Sequence, residues 1–483
     1  MDQDGNAIAG IFFLSLEDFL SSSDYHRLQE LVKAVGPGDT IEIISRFPRR
    51  EIRESDHGEY YTPDHDVDFM SRLAIAVYLE RAGIFKGFKE MRHPAFHAMF
   101  DPPSLDKFPH TAVAAIIEHL ERAKVLDPAC GAGVFLSRIL AISMRLLDTI
   151  RTRNGHENDK DLERDLNLAR SMLHGIDINA DALVATKMNI AWTLAEYHQA
   201  TKETMYHILE TMFSQDMKFV HADFLLQDIE SLDQFDIIIG NPPYIRQESI
   251  TLPGAIHFHQ GTPVLRDRRA YKARIEAILE PFFPEKRLPS RMSDYYVYFF
   301  FKAIPLLREG GCLSFLVSKS WLDAKFGRQL REAIASDMMI DFIIDPGEKR
   351  FDQAEINTLV VACSKPQLYP RTKETNRDDN DENSLAIVER YVATNVARFI
   401  RFLNPMAGIG LLTKATSMLR GTPVHQGGSL SSMAKDIVKD PISRVFPVHQ
   451  GDLIAALASR GSNRQDETRG LISGSWKAAF LNG

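Results

Sequence analysis

Residues 125–136 read VLDPACGAGVFL: a short apolar run, an acid, a glycine-rich turn and the first residues of an apolar helical stretch. Glycines at 131 and 133 allow backbone to approach a ligand closely, and the helix start that follows offers free N–H groups and a positive dipole end. A lone G-x-G is also what a purely structural turn looks like. The acid before it tips the balance, because Asp127 would repel a pyrophosphate and attract a cationic amino group.

Working outward, the same alternation repeats. Short apolar runs at 125–126, 174–176, 218–220, 235–239, 312–317, 341–344 and 358–363 are each followed by a polar or glycine-rich turn and mostly by a helical stretch. Such alternation predicts an α/β fold, a parallel doubly wound sheet with helices on both faces. Seven strands suit one such domain. Upstream, residues 11–35 mix apolar and polar positions at helical spacing and stop at Gly36-Pro37-Gly38, predicting a helical N-terminal extension over 1–55. The catalytic domain is expected over 56–368. Residues 371–384 (RTKETNRDDNDENS) have almost nothing to bury, so a linker is expected over 369–385 and a separate C-terminal region over 386–483.

Two further acids follow strands. Asp177 in Gly175-Ile176-Asp177-Ile178-Asn179 stands where such folds bond ribose hydroxyls, and the charged segment 151–170 reads as an insertion lengthening the crossover before it. Asp223 in His221-Ala222-Asp223-Phe224 is placed to accept from an adenine amino group, with Ile178 and Phe224 flanking the ring. Each acid alone is more often a cap or turn former. Three in succession, with the Ala129–Gly133 turn, point to S-adenosylmethionine rather than a dinucleotide.

The strand at 235–239 delivers Asn241-Pro242-Pro243-Tyr244. Asn241 precedes a proline and both prolines have fixed φ, so the loop is stiff. The Asn241 side-chain oxygen and the Pro242 carbonyl are two acceptors for one amino group, the requirement for methylating an exocyclic nitrogen without a strong base. Tyr244 offers a face on which a base extruded from a duplex can stack. The competing reading, a rigid turn, is the ordinary meaning of such a tripeptide. Its position after three cofactor-type signals favours chemistry.

These residues resemble the gamma-class N6-adenine DNA methyltransferases of type II and IIG restriction-modification systems, over about residues 56–366. The resemblance implies a class I, Rossmann-like S-adenosylmethionine-dependent fold. It makes Tyr61, Thr62 and Pro63 in GEYYTP a segment holding the methionine end of the cofactor, upstream of the glycine turn as in the gamma class. NPPYIRQE at 241–248 is close to the type IIG form, and residues 345–358 (DPGEKRFDQAEINT) resemble the segment whose aromatic packs on the flipped base, with Phe351 its candidate. SDYYVYF at 293–299 resembles the next family segment; without the family, that aromatic run reads as core. About fifty residues precede the Tyr61 segment and no Glu-x-Lys triplet occurs, so a fused nuclease is not expected. The C-terminal region is short for a target recognition domain. Double-stranded DNA is the expected partner, with a restriction endonuclease or specificity subunit beside it.

Composition fits. With 483 residues, 44% hydrophobic, the chain can bury one large core and a smaller one. Its apolar runs are far too short for a bilayer and the start MDQDGNAIAG has no basic leader, so a cytoplasmic protein without membrane contact is expected. Cys130, Cys312 and Cys363 are too far apart for a C-x-x-C pairing, which predicts no metal site. The net charge of −8 excludes indiscriminate coating of nucleic acid. A local excess of cations at 264–291 reads equally as a solvated helix face or a phosphate-contacting surface. Two rival readings use the same residues: a glutamine methyltransferase acting on release factors or an RNA methyltransferase, and a non-catalytic subunit keeping the fold.

Overall fold

The structure is a computed structural model, and it describes residues 62–84, 100, 108–153, 161–246, 268–283, 287–345, 357–367, 392–402, 438–439 and 443–458. The N-terminal extension, Tyr61, Phe351 and the 369–385 linker lie outside the described residues. The described residues divide into two compact units, the first holding 62–72 and 108–224, the second 73–84 and the residues from 225 onward.

In the first unit, α1 (Asp64–Arg81, whose first turns lie here) and α2 (His110–Arg122) precede β1 (Val125–Asp127). Then follow α3 (Val134–Arg153), α4 (Leu162–Met172), β2 (Leu173–Asp177), α5 (Ala180–His198), α6 (Lys202–Met212) and β3 (Lys218–His221). The strands are parallel in the order β3-β2-β1, with Asp127 level with Gly175 and Asp177 level with His221. Every residue of β1 and β2 is buried, so they show no in–out alternation, and the buried polar residues Asp127 and Asp177 stand at their carboxyl ends. The segment read as an insertion carries α4, capped by Asp161, whose carboxylate accepts from Arg164 N at 3.2 Å.

The second unit contains β4 (Phe235–Gly240), α7 (Arg268–Leu279), α8 (Tyr295–Leu306), β5 (Leu307–Ser318), α9 (Arg328–Asp337), β6 (Met339–Asp345) and β7 (Thr358–Ser364). Beyond these come β8 (Val396–Phe402), β9 (Val438–Lys439), β10 (Ser443–His449) and α10 (Gln450–Ala458). The strand order is β4-β5-β7-β6-β8-β10-β9. β4 pairs with β5 in parallel, β7 is reversed against both β5 and β6, and β8 returns in parallel to β6. All seven strands read from the sequence are present; β8 to β10 are additional. The aromatic run 295–301 is the wholly buried body of α8, which is the core reading of that run.

A buried polar network fixes β8 and α10 to β6. Arg81 Nε donates to Asp341 at 2.9 Å, Ser364 Oγ donates to the same carboxylate at 2.7 Å, and Asn395 Nδ2 reaches Ile340 O at 2.8 Å. The fully buried Gln450 amide accepts from Ile340 N at 2.9 Å and donates to Ala335 O at 2.8 Å and to Met338 O. Every polar atom of that amide is matched, as burial requires. Among the described residues no helix is long and apolar enough to cross a membrane.

Candidate active site

In the first unit, Asp127, Ala129, Gly131, Gly133, Asp177, Ile178, Asp223 and Phe224 lie at the carboxyl ends of β1, β2 and β3. The turn after β1 is built on β2: Cys130 N donates to Ile176 O at 3.1 Å, and Gly131 N to Asp177 Oδ2 at 2.8 Å. Asp177 also accepts from Asn179 N at 2.8 Å, and Asn179 in turn caps α5 by accepting from Asp181 N. Asp177 thus uses both carboxylate oxygens to hold the turn and the start of α5. Ala222 N donates to Asp177 O and the His221 ring bonds Ile178 O at 2.9 Å, which draws Asp223 and Phe224 to the same sheet end. Both Asp223 and Phe224 are buried, and Ile178 is half-buried.

Gly131 and Gly133 have φ of +52° and +72°. A Cβ at Gly133 would lie 2.6 Å from Thr186 Cγ2, whereas nothing lies within 4 Å of one at Gly131. Thr186 Oγ1 donates to Gly131 O at 2.8 Å, so α5 holds the turn from behind while its front stays open. Asp127 is 1% exposed and accepts from Ala129 N at 3.2 Å. Burial pushes its pKa up to about 8, the Ala129 N–H opposing and the Asp177 charge adding to the rise. Thr62 is buried and Pro63 half-buried, and Pro63 O accepts the first amides of α1, from Asp66 and Val67. Asp68 on α1 pairs with Arg138 on α3 at 3.4 Å, tying that segment to the helix that leaves the glycine turn.

Three carboxylates of graded burial and an open glycine cradle fit S-adenosylmethionine. Asp127 suits its ammonium and Asp177 and Asp223 its hydroxyl and amino donors. A pyrophosphate would meet carboxyl oxygens there in place of the N–H donors it needs. The fit therefore rests on the donor set and on the space in front of Gly131.

In the second unit, β4 ends at Gly240 and delivers Asn241 half-buried, Pro242 buried and Pro243 and Tyr244 half-buried. Tyr244 Oη donates to Leu316 O on β5 at 3.1 Å, and its ring meets that of Tyr296 edge-on at 6.5 Å. Ile245 O accepts from Tyr295 N, the first residue of α8, at 3.0 Å. The loop is thus pinned at both its hydroxyl and its backbone, by elements that the sequence gives no local reason to connect with it. Tyr296 Oη bonds Ser320 Oγ at 2.9 Å, and Lys319 pairs with Asp345 at 2.5 Å, at the ends of β5 and β6. These are supporting groups the sequence reading missed; a tyrosine inside an apolar run was the available signal.

Among the described residues of the cation-rich segment, several cations are engaged internally. Lys272 is buried, donates to Arg291 O and stands 5.8 Å from the Tyr298 ring centre. Arg291 binds both oxygens of Glu276 at 2.9 and 2.7 Å, and Arg287 pairs with Asp337 at 3.3 Å. For these three, intramolecular pairing replaces the phosphate-contacting reading.

Strands ordered 3-2-1 in one unit and 4-5-7-6 with a reversed seventh in the other, with a glycine turn and acids on successive strand ends, define the class I S-adenosylmethionine-dependent methyltransferase fold. Within that class the resemblance is specific. Residues 171–351 match the family model described as Eco57I restriction-modification methylase. The chain is 27% identical over 230 residues, 47% of its own length and 34% of the relative's, to the type II methyltransferase M.BstVI of Geobacillus stearothermophilus. It is 25% identical over 228 residues, 47% of this chain and 32% of the other, to the type II methyltransferase M.PaeR7I of Pseudomonas aeruginosa. The type IIG restriction endonuclease BpuSI is a structural neighbour at TM-score 0.47 and 12% identity, covering 87% of this chain and 34% of that one. The chain spans about a third of the length of the curated relatives it matches.

Proposed function

We propose that this chain is a site-specific DNA methyltransferase of a restriction-modification system, transferring a methyl group from S-adenosylmethionine to N6 of an adenine flipped out of duplex DNA. Its partner is double-stranded DNA in the cytoplasm, with a restriction endonuclease or specificity subunit completing the system. The observation that carries the reading is Asn241-Pro242-Pro243-Tyr244 at the carboxyl end of β4, fixed through Leu316 O and Tyr295 N. The type II methyltransferases it resembles, by name, support the same class of reaction.

The proposed division of labour follows the two units. Thr62, Pro63 and the 129–133 turn hold the methionine end of the cofactor beside Asp127, Asp177 accepts from the ribose, and Asp223 from the adenine amino group between Ile178 and Phe224; Tyr61 is expected to join them. When bound, S-adenosylmethionine supplies an electrophilic methyl group on a sulfonium. The Asn241 side-chain oxygen and Pro242 carbonyl accept both hydrogens of the target amine, which favours a pyramidal, nucleophilic nitrogen. Pro243 keeps those acceptors in place, Tyr244 supports the extruded base, and Phe351 is its proposed second face.

Long-read mapping of modified bases in DNA from cells expressing the chain, beside an Asn241→Ala variant, tests this. One adenine in a short recurring sequence is expected to be modified with the parent and unmodified with the variant, the variant keeping its cofactor affinity. Modification of release factor or RNA instead of DNA, or cofactor binding with no turnover, would replace the proposal with one of its rivals.

A further inference from the structure

The turn 290–293 (SRMS) presents Met292 with 59% of its surface exposed, the most exposed of the large apolar side chains among the described residues. A single exposed methionine on a surface means nothing by itself. What sets this one apart is how it is held and what it is joined to.

The turn is closed by Ser293 N donating to Ser290 O at 2.8 Å and by Met292 N donating to Ser290 Oγ at 3.2 Å. Tyr298 Oη donates to the same Ser290 carbonyl at 3.1 Å. Arg291, the other tip residue, is clamped by both oxygens of Glu276, and its carbonyl accepts from the buried Lys272 ammonium. Ser293 is fully buried and its hydroxyl donates to Phe326 O at 3.4 Å. Backbone on both sides of Met292 is therefore fixed by side chains that are themselves packed, while the apolar side chain between them is in water. Two residues on, Tyr295 N bonds Ile245 O, so the turn and the Asn241–Tyr244 loop share one rigid connection, and the next residue, Tyr296, meets the Tyr244 ring.

We infer that Met292 is a base-stack wedge: it enters the duplex at the gap left when the target adenine is extruded, and so stabilises the open state from which Tyr244 receives the base. This rests on the proposed DNA methylation. The chemistry fits the position. Inserted apolar residues, methionine among them, replace the lost stacking contact between base steps, and an unbranched thioether adapts to an irregular gap. A rigid carrier is needed, since a mobile one would lose in ordering what the contact gains.

The test uses the full chain and a duplex carrying the methylated sequence found by mapping, with thymine or an abasic site opposite the target. Met292→Ala is expected to lower kcat/KM on the paired duplex by about tenfold or more, with Met292→Leu within about twofold of the parent. Opposite an abasic site, where extrusion costs less, the alanine deficit should narrow to about twofold. Fluorescence of 2-aminopurine at the target should rise less with the alanine variant, while cofactor affinity and melting temperature stay unchanged. Equal activity of parent and alanine variant on the paired duplex, or a deficit the same on both duplexes, overturns the wedge. A parent chain that methylates no DNA removes the wedge together with the function beneath it, and is recognised without any variant.

Discussion

Asp127 yields a prediction whose sign and size follow from its burial. Its carboxyl keeps a proton up to about pH 8 in the folded chain, against 3.8 for the free group. With the folded pKa raised, the stability this group contributes is complete below about pH 4 and is lost as pH climbs through about 8, at about 1 kcal/mol per pH unit between. If Asp127 receives the cofactor's ammonium it must ionise, so binding at pH 7 releases a proton and the affinity for S-adenosylmethionine improves roughly tenfold per pH unit from 6 toward 8. Titration calorimetry at pH 6, 7 and 8, in phosphate and in Tris, reads both quantities: close to one proton released at pH 6 and about half of one at pH 8. Asp127→Asn, nearly the same shape and always neutral, should bind more weakly at pH 8 and show no slope. Proton release absent at pH 6 in the parent, or the same slope in the asparagine variant, would refute the assignment of Asp127 to the ammonium.

Other outcomes follow from the same geometry. Gly131→Ala meets open space, so it should cost about 1 kcal/mol of stability for its left-handed φ yet weaken cofactor binding more than that, because the added methyl stands in front of the turn; differential scanning calorimetry with and without cofactor separates the two. Gly133→Ala has Thr186 in its way and should lose more stability than Gly131→Ala in the same scans, with Thr186→Ser recovering part of it. Tyr244→Phe removes one hydrogen bond to Leu316 O, about 1 kcal/mol, and keeps the aromatic face, whereas Tyr244→Ala should lower affinity for an unpaired target base by roughly 1–3 kcal/mol; gel-shift titrations that rank the two variants equal would exclude stacking. Gln450→Leu leaves Ile340 N, Ala335 O and Met338 O buried without a partner and should lower stability by several kcal/mol in urea unfolding, at unchanged cofactor affinity if any folded protein remains.

The parts of this structure legible in sequence are those written locally. An acid after an apolar run followed by glycine marks β1, and two prolines after Asn241 mark the end of β4, because backbone restrictions act within a few residues. Register and supporting contacts are written elsewhere. The Gly310-Gly311 pair looks like a boundary before a strand at 312, yet β5 starts at Leu307, because Gly310 N donates to Lys365 O and Lys365 N returns to Gly311 O across the sheet. β8 to β10 have no independent signal, since what makes 396–402 a strand is its pairing with β6. Asp177 was legible as an acid at a strand end, but not its bond to Gly131 N, 46 residues away. Lys302 lies in an apolar run and is fully buried because Leu225 O, at 3.2 Å, and Gln227 O receive it. The cation count at 264–291 could not reveal that Lys272 and Arg291 are spoken for internally.

The network around Asp341 also sets an order of events on the ribosome. Arg81 emerges 260 residues before the carboxylate that neutralises it, and Gln450 follows Ile340 by 110. Until residue 341 has been synthesised the guanidinium has no anion, and until residues 396–402 follow β6 offers an open edge, so the half-made polypeptide is a client for chaperones and a target for edge-to-edge association. Lower temperature, which weakens apolar association of the exposed edge, should therefore raise the yield of intact protein more than it would for a polypeptide whose strands pair with near neighbours.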